Sequence, residues 1–148
     1  MTAAASAATQ TGVRYLESSA LVAALLEHET GVFTRIPRGT RWVTSALTLA
    51  ETGRAIIRAR AIGRLTAEQE KAAVLALRRF ERRCFIVDVD RAVLDRVRRT
   101  FPIEPIRTLD AVHLATAERL GEPPSLVTIV TRDSRVRSNA EKLGYAVA

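Results

Sequence analysis

Four carboxylates stand where open α/β proteins assemble their chemistry. Glu17 closes the short extended-prone run Val13-Arg14-Tyr15-Leu16, and Asp133 follows the apolar, β-branched stretch Ser125–Thr131. Glu51 and Asp110 fall in the first turns of helical patterns that come after such runs. In open parallel sheets, ligands bind in the crevice beyond the carboxyl ends of the strands, so this topology would bring all four acids to one edge. Each alone has a plain structural use, because an acid near a helix N-terminus gains about 0.3–1 kcal/mol from the helix dipole. Glu51 could equally pair with Arg54 on the same helix. Together they pose a problem: two carboxylates about 4 Å apart repel by roughly 4 kcal/mol at an effective dielectric of about 20. A convergent set therefore calls for a cation. Hard oxygen ligands suit Mg²⁺ or Mn²⁺. Such a site acidifies a bound water and stabilises charge on a phosphoryl oxygen, which is the chemistry of phosphodiester hydrolysis.

Other chemistries lack their residues. No Gly-x-Gly-x-x-Gly follows a strand and no Gly-x-x-x-x-Gly-Lys-Ser/Thr is present, so dinucleotide and P-loop phosphate binding have no support. A Gly-x-Ser-x-Gly elbow is missing too, and His28 and His113 are too few for a histidine-rich metal site. His113 follows Asp110 by three residues and shares its helical face, but reads first as a packed or surface side chain.

The elements that must position the acids follow from periodicity and punctuation. Val13–Leu16 is a strand, Ser18 and Ser19 read as N-caps, and Leu21, Val22, Leu25 and Leu26 form one face of a helix ending near Thr30-Gly31. Arg41–Thr44 is a second strand. Ser45 caps a helix from Leu47 to about Ile62, closed by Gly63, and Thr66 with Gln69 has capping-box spacing for the next helix. Cys84–Val87 reads as a third strand, Asp90 caps a helix carrying Val93, Leu94 and Val97, and Leu109–Ala117 is a small-residue helix suited to lie close against a sheet. Ser125–Thr131 is a strand, Val136 to Leu143 a helix ended by Gly144, and Tyr145–Val147 a terminal strand. Alternating strands and helices imply parallel pairing with right-handed crossovers, hence a three-layer α/β/α domain with a central, mainly parallel sheet.

Size and composition agree with one domain over residues 13–148, preceded by a frayed tail, Met1–Gly12. A chain of this length buries about 68–70% of its unfolded surface and needs no disulfide or structural metal. The single cysteine, Cys84, excludes an internal disulfide and reads as a small buried hydrophobe in a reducing compartment. No apolar run approaches the roughly 18 residues of a membrane span, and the first residues lack a signal peptide's basic start, so the expected location is the cytoplasm. The formal charge is +7, and every basic residue except Lys71 and Lys142 is arginine, which favours bidentate phosphate contact. Two arginine groups are candidates for an RNA backbone: Arg78 to Arg83, and Arg132, Arg135 and Arg137 beside Asp133. Trp42 reads as core or subunit contact.

The segments Tyr15–Val22, Leu47–Glu51, Thr108–Ala115 and Val130–Arg135 resemble, in order, the four sequence blocks of PIN-domain proteins, and specifically the VapC-type toxins of toxin–antitoxin pairs. The resemblance spans about Val13 to Val147. It implies an endoribonuclease dependent on Mg²⁺ or Mn²⁺, in which Glu17, Glu51, Asp110 and Asp133 are the catalytic acids and Glu17, Asp110 and Asp133 hold the metal. It further implies a homodimer, neutralised by a cognate antitoxin whose chain covers the acidic site. Ser19 matches the family's small hydroxyl residue near the first acid, where capping the helix is its preferred reading. The family's first acid is usually aspartate, whereas this chain has glutamate, longer by one bond of about 1.5 Å. That departure keeps a second reading open: the same fold, catalytically impaired, binding RNA or a protein partner without cleavage.

Overall fold

In the computed structural model, which describes residues 12–34 and 36–148, strands and helices alternate as the sequence pattern requires. The order is β1 (Val13–Leu16), α1 (Ser18–Leu26), β2 (Arg41–Ser45), α2 (Ala46–Ala61), α3 (Ala67–Arg83), β3 (Phe85–Val87), α4 (Arg91–Val97), α5 (Thr108–Arg119), β4 (Val127–Val130), α6 (Ser134–Lys142) and β5 (Ala146–Val147). The five strands form one sheet in the order β3-β2-β1-β4-β5, and every pairing is parallel. The expected tail lies outside the described residues except for Gly12.

Side-chain alternation along β1 decides what each face of the sheet meets. Val13 and Tyr15 belong to a core with Val112 and Leu114 of α5, Val93 of α4 and Val136 of α6. Leu16 points the other way, into a core with Ala20 and Leu21 of α1, with Leu77 and Phe80 of α3 packed against it. The result is α1, α2 and α3 on one side and α4, α5 and α6 on the other, the three-layer arrangement. α5 suits the centre of its layer: seven consecutive residues, Ala111 to Ala117, are buried, and five of them are alanine, valine or threonine. Fully burying a side chain such as Leu16 or Ile129 is worth about 1.5–3 kcal/mol, so these rows are the main glue of the layers.

The chain runs outward from β1 to β2 and β3, then returns to place β4 on β1's other side. This reversal makes the gap between the carboxyl ends of β1 and β4 the topological switch point. It is pinned by a hydrogen bond from the Glu17 backbone N–H to the Val130 carbonyl, 3.0 Å. Glu17 and Asp133 leave the sheet on either side of it.

Several boundaries differ from the sequence reading, each for a local reason. α1 stops at Leu26 because His28 adopts a left-handed conformation, φ 55°, and Thr30–Phe33 forms a separate 3₁₀ turn. β4 begins at Val127 because Pro124–Leu126 is also a 3₁₀ turn. Cys84 caps α3 instead of starting β3, and it is only partly buried, with burial pushing its thiol up to about 12. Trp42 packs edge-on against Phe33, 5.5 Å between ring centres, beside Phe80. The capping box of Thr66 and Gln69 forms in full, and Gly63 supplies the left-handed turn, φ 76°, that ends α2 and lets α3 fold back on it.

Candidate active site

Glu17 is the first residue beyond β1 and takes the N-cap position of α1 with extended backbone, φ −84° and ψ 155°. Ser18 and Ser19 are therefore the first residues of the helix and not its caps, which corrects the sequence reading. Their hydroxyls turn to the Glu17 carboxylate instead. Ser18 Oγ donates to Glu17 Oε1 at 2.7 Å, while Ser19 Oγ and Thr131 Oγ1, the latter at 2.7 Å, donate to Oε2. Glu17 is only 3% exposed, so this hydroxyl cage replaces the water it has lost. The cage is tied to the β4–α6 loop: Ser19 Oγ accepts the Arg132 backbone N–H at 2.8 Å, and Thr131 Oγ1 accepts that of Asp133 at 3.0 Å.

A second set of bonds converges on His113, which is 1% exposed. Its Nε2 lies 2.6 Å from Glu51 Oε1 and 3.7 Å from Glu17 Oε1, and its Nδ1 lies 3.0 Å from the Tyr15 hydroxyl. A carboxylate only accepts, so Nε2 carries the proton shared with Glu51 and the Tyr15 hydroxyl serves Nδ1. Burial, aided by the charge of Glu17, holds the Tyr15 phenol well above its ordinary pKa, so it stays protonated. Burial pushes Glu51 upward, but other influences, the hydrogen bond from His113 foremost, outweigh this, leaving its pKa below the ordinary value. Glu51 thus pairs with His113 and not with Arg54.

Asp110 has no such support. It sits in the first turn of α5, with its Oδ2 buried and without a hydrogen-bond partner. Arg107 Nε approaches that oxygen only to 3.9 Å, from a side chain 70% exposed. Burial first, then the negative charge of Asp133 and, further down, Glu17, raise the Asp110 pKa despite Arg107. Asp133 completes the group as the N-cap of α6, where its Oδ1 accepts the backbone N–H of Arg135 at 2.8 Å and of Val136 at 3.0 Å. Its other oxygen takes no part in the cap.

The donor set is of the kind a hard divalent ion takes, and the buried, unpartnered Asp110 oxygen among like charges is the feature such an ion would relieve. Yet among the described residues no three acidic, histidine or cysteine side chains are already gathered as a ligand shell. To bind an ion directly, Glu17 would exchange one of its hydroxyl donors for it.

Sequence reasoning missed Tyr15 and Thr131, although two-residue alternation from Glu17 gave a signal for the first. It placed His113 on the Asp110 face, where the structure turns it to Glu51 and Tyr15. The Arg132 guanidinium is bound by Glu29, with Nε at 2.8 and 3.0 Å from the two oxygens, so a phosphate there would compete with that pair.

The PIN-domain family pattern matches residues 14–142. Ribonuclease VapC46 of Mycobacterium tuberculosis is 40% identical over 139 residues, covering 90% of this chain and 94% of that protein. Ribonuclease VapC35 of the same organism is 40% identical over 107 residues, 72% of this chain and 71% of that protein. In fold, the chain is similar to a VapBC2 structure from Rickettsia felis bound to a promoter DNA fragment, with TM-score 0.65 at 14% identity over 92% of this chain and 97% of that one. A VapBC-1 structure from nontypeable Haemophilus influenzae gives TM-score 0.59 at 13% identity, over 92% and 96% of the two chains. With the acids at the switch point of a parallel α/β/α sheet and these relatives spanning most of its length, the chain belongs to the PIN-domain family, on its VapC branch.

Proposed function

We propose that this protein is a Mg²⁺- or Mn²⁺-dependent endoribonuclease and the toxin of a toxin–antitoxin pair, working in the cytoplasm as a homodimer. The reading rests on one observation above others: a buried carboxylate oxygen, Asp110 Oδ2, left without a hydrogen bond beside Glu17 and Asp133, with only the Arg107 guanidinium near it, at 3.9 Å. The names of the curated relatives, both ribonucleases, supply the reaction class. VapBC structures of the same fold make a cognate antitoxin protein the expected inhibitor.

Glu17, Asp110 and Asp133 would hold the metal, which supplies charge neutralisation and an acidified water for attack on phosphorus. Glu51, with one oxygen on His113, would have the other available to orient the attacking water. The hydroxyls of Ser18, Ser19 and Thr131 keep Glu17 in one rotamer, so the extra carbon it has over aspartate is already positioned. That same cage supports the second reading, since a carboxylate satisfied by three hydroxyls has less need of a metal.

The test is cleavage of single-stranded RNA by purified protein. Cutting should require Mg²⁺ or Mn²⁺, stop with chelator, and fall at least about a hundredfold in Asp110→Asn. Equal cutting by Asp110→Asn would refute the site. If the unmodified protein is inert and Glu17→Asp cuts, the chain is the impaired binding form.

A further inference from the structure

Beside Glu51 the surface dips into a groove between α1 and α2 of about 480 Å³, with Ser18, Ser19 and Glu51 at one end and Val22, Leu47 and Leu109 along its sides. Arg54 and Arg58 are exposed on its rim, three and seven residues along α2 from Glu51 and hence on the same helical face. Past Arg58 the groove continues into a hollow of about 180 Å³ that shares Val22, Ala55 and Arg58 and ends at Ile62 and Arg64. Along α2, from Glu51 to Ile62, the track is about 16 Å long.

Its charge is left open. Some arginines outside the groove are committed to acids, Arg132 to Glu29, Arg96 to Glu118, Arg41 to Glu122 and Arg119 to Asp90, while among the described residues others, such as Arg78, Arg79, Arg135 and Arg137, are not. Among the described residues Arg54, Arg58 and Arg64 have no ion-pair partner, and beyond Glu51 the groove's outer part carries a single acid, Glu27. An apolar trough with a rim of unpaired guanidinium groups, leading to Glu51 and the serines that hold Glu17, is complementary to one kind of chain: a polyanion with apolar surfaces between its charges.

The geometry points to this α1–α2 groove as the track for single-stranded RNA entering the acidic site, with Arg54 and Arg58 on successive backbone phosphates and Val22, Leu47 and Leu109 against riboses and bases. The inference rests on the ribonuclease reading for its direction toward the acids, and replaces Arg132 as the phosphate contact. A duplex is too wide for a trough between two packed helices. No aromatic side chain lines the groove, so bases are not read by stacking and backbone charge dominates affinity.

The test is fluorescence anisotropy of a short single-stranded RNA, fully 2′-O-methylated so that it cannot be cut, titrated with full-length protein across about 50–200 mM salt. Arg54→Gln/Arg58→Gln should weaken binding about tenfold and flatten the slope of log K against log salt by about 1.4, two phosphates at about 0.7 each. Arg91→Gln/Arg98→Gln, the same charge change at exposed positions of α4 and its C-cap on the opposite layer, should leave both within twofold. The inference is overturned if the unmodified protein does not bind, if the α2 variant binds as the unmodified protein does, or if both variants lose affinity equally. An unaffected α2 variant would leave the groove to a protein partner. Cleavage of ordinary RNA is read separately: α2-dependent binding with no cleavage in Mg²⁺ or Mn²⁺ sinks the ribonuclease reading and keeps the track.

Discussion

The two halves of the acidic cleft are built on opposite terms. On the β1–α2 side, Glu17 and Glu51 are held by hydroxyls and by His113, with contacts of 2.6 and 2.7 Å. On the α5–α6 side, Asp133 gives one oxygen to a helix cap and Asp110 keeps a buried oxygen with nothing to accept from. One half is finished by the fold, whereas the other is left incomplete by it. Under the proposed metal-dependent reading, the saturated half would set geometry and the unsatisfied half would be where a cation relieves the charge.

The strongest way to break this contrast is to unfinish the finished half. His113→Phe keeps the ring shape but strands the Tyr15 hydroxyl, which is fully buried, and removes the Glu51 partner. An unpaired buried hydroxyl alone costs about 1–3 kcal/mol, so urea denaturation should show a loss of about 2–3 kcal/mol. Adding Tyr15→Phe should return part of that loss, since it deletes the stranded group. A His113→Phe protein as stable as the unmodified one would mean the network carries no weight.

A smaller effect is expected from Thr131→Val, which keeps the shape while removing one donor to Glu17 and the acceptor of the Asp133 N–H. The loss should be about 1–2 kcal/mol by thermal unfolding. RNA cleavage should fall through kcat with KM nearly unchanged, because Glu17 is displaced and the Arg54 groove is not.

The smallest effect sharpens the other half. The folded-state pKa of Asp110 is raised, so its ionised form is penalised by folding above that pKa and the penalty disappears as pH falls below the unfolded value of about 3.9. Without metal, Asp110→Asn should therefore be the more stable protein at pH 7. The gain should vanish in thermal melts at acid pH. A destabilised Asp110→Asn at neutral pH would show that the Arg107 contact outweighs burial and the neighbouring negative charges.

The fold was legible because periodicity reports on backbone and burial. The β-branched run of Val127–Val130, the Thr66–Gln69 box and the small-residue helix at Ala111–Ala117 all carry local signals that packing then reinforced. Side-chain partnerships were not legible, because they join distant positions: Tyr15 with His113 across 98 residues, and Arg132 with Glu29 across 103. Ser18 and Ser19 misled for a related reason. Hydroxyls before a helical run ordinarily cap it, but here a carboxylate one residue earlier took the cap position and drew the hydroxyls to itself.

If these acids hold a divalent cation, as proposed, calorimetric titration of the purified protein with Mn²⁺ detects it directly. Saturable binding to the unmodified protein, abolished in Asp110→Asn and accompanied by a rise in melting temperature that the variant lacks, is the predicted result. Absence of Mn²⁺ binding to the unmodified protein, or equal binding by Asp110→Asn, would contradict it.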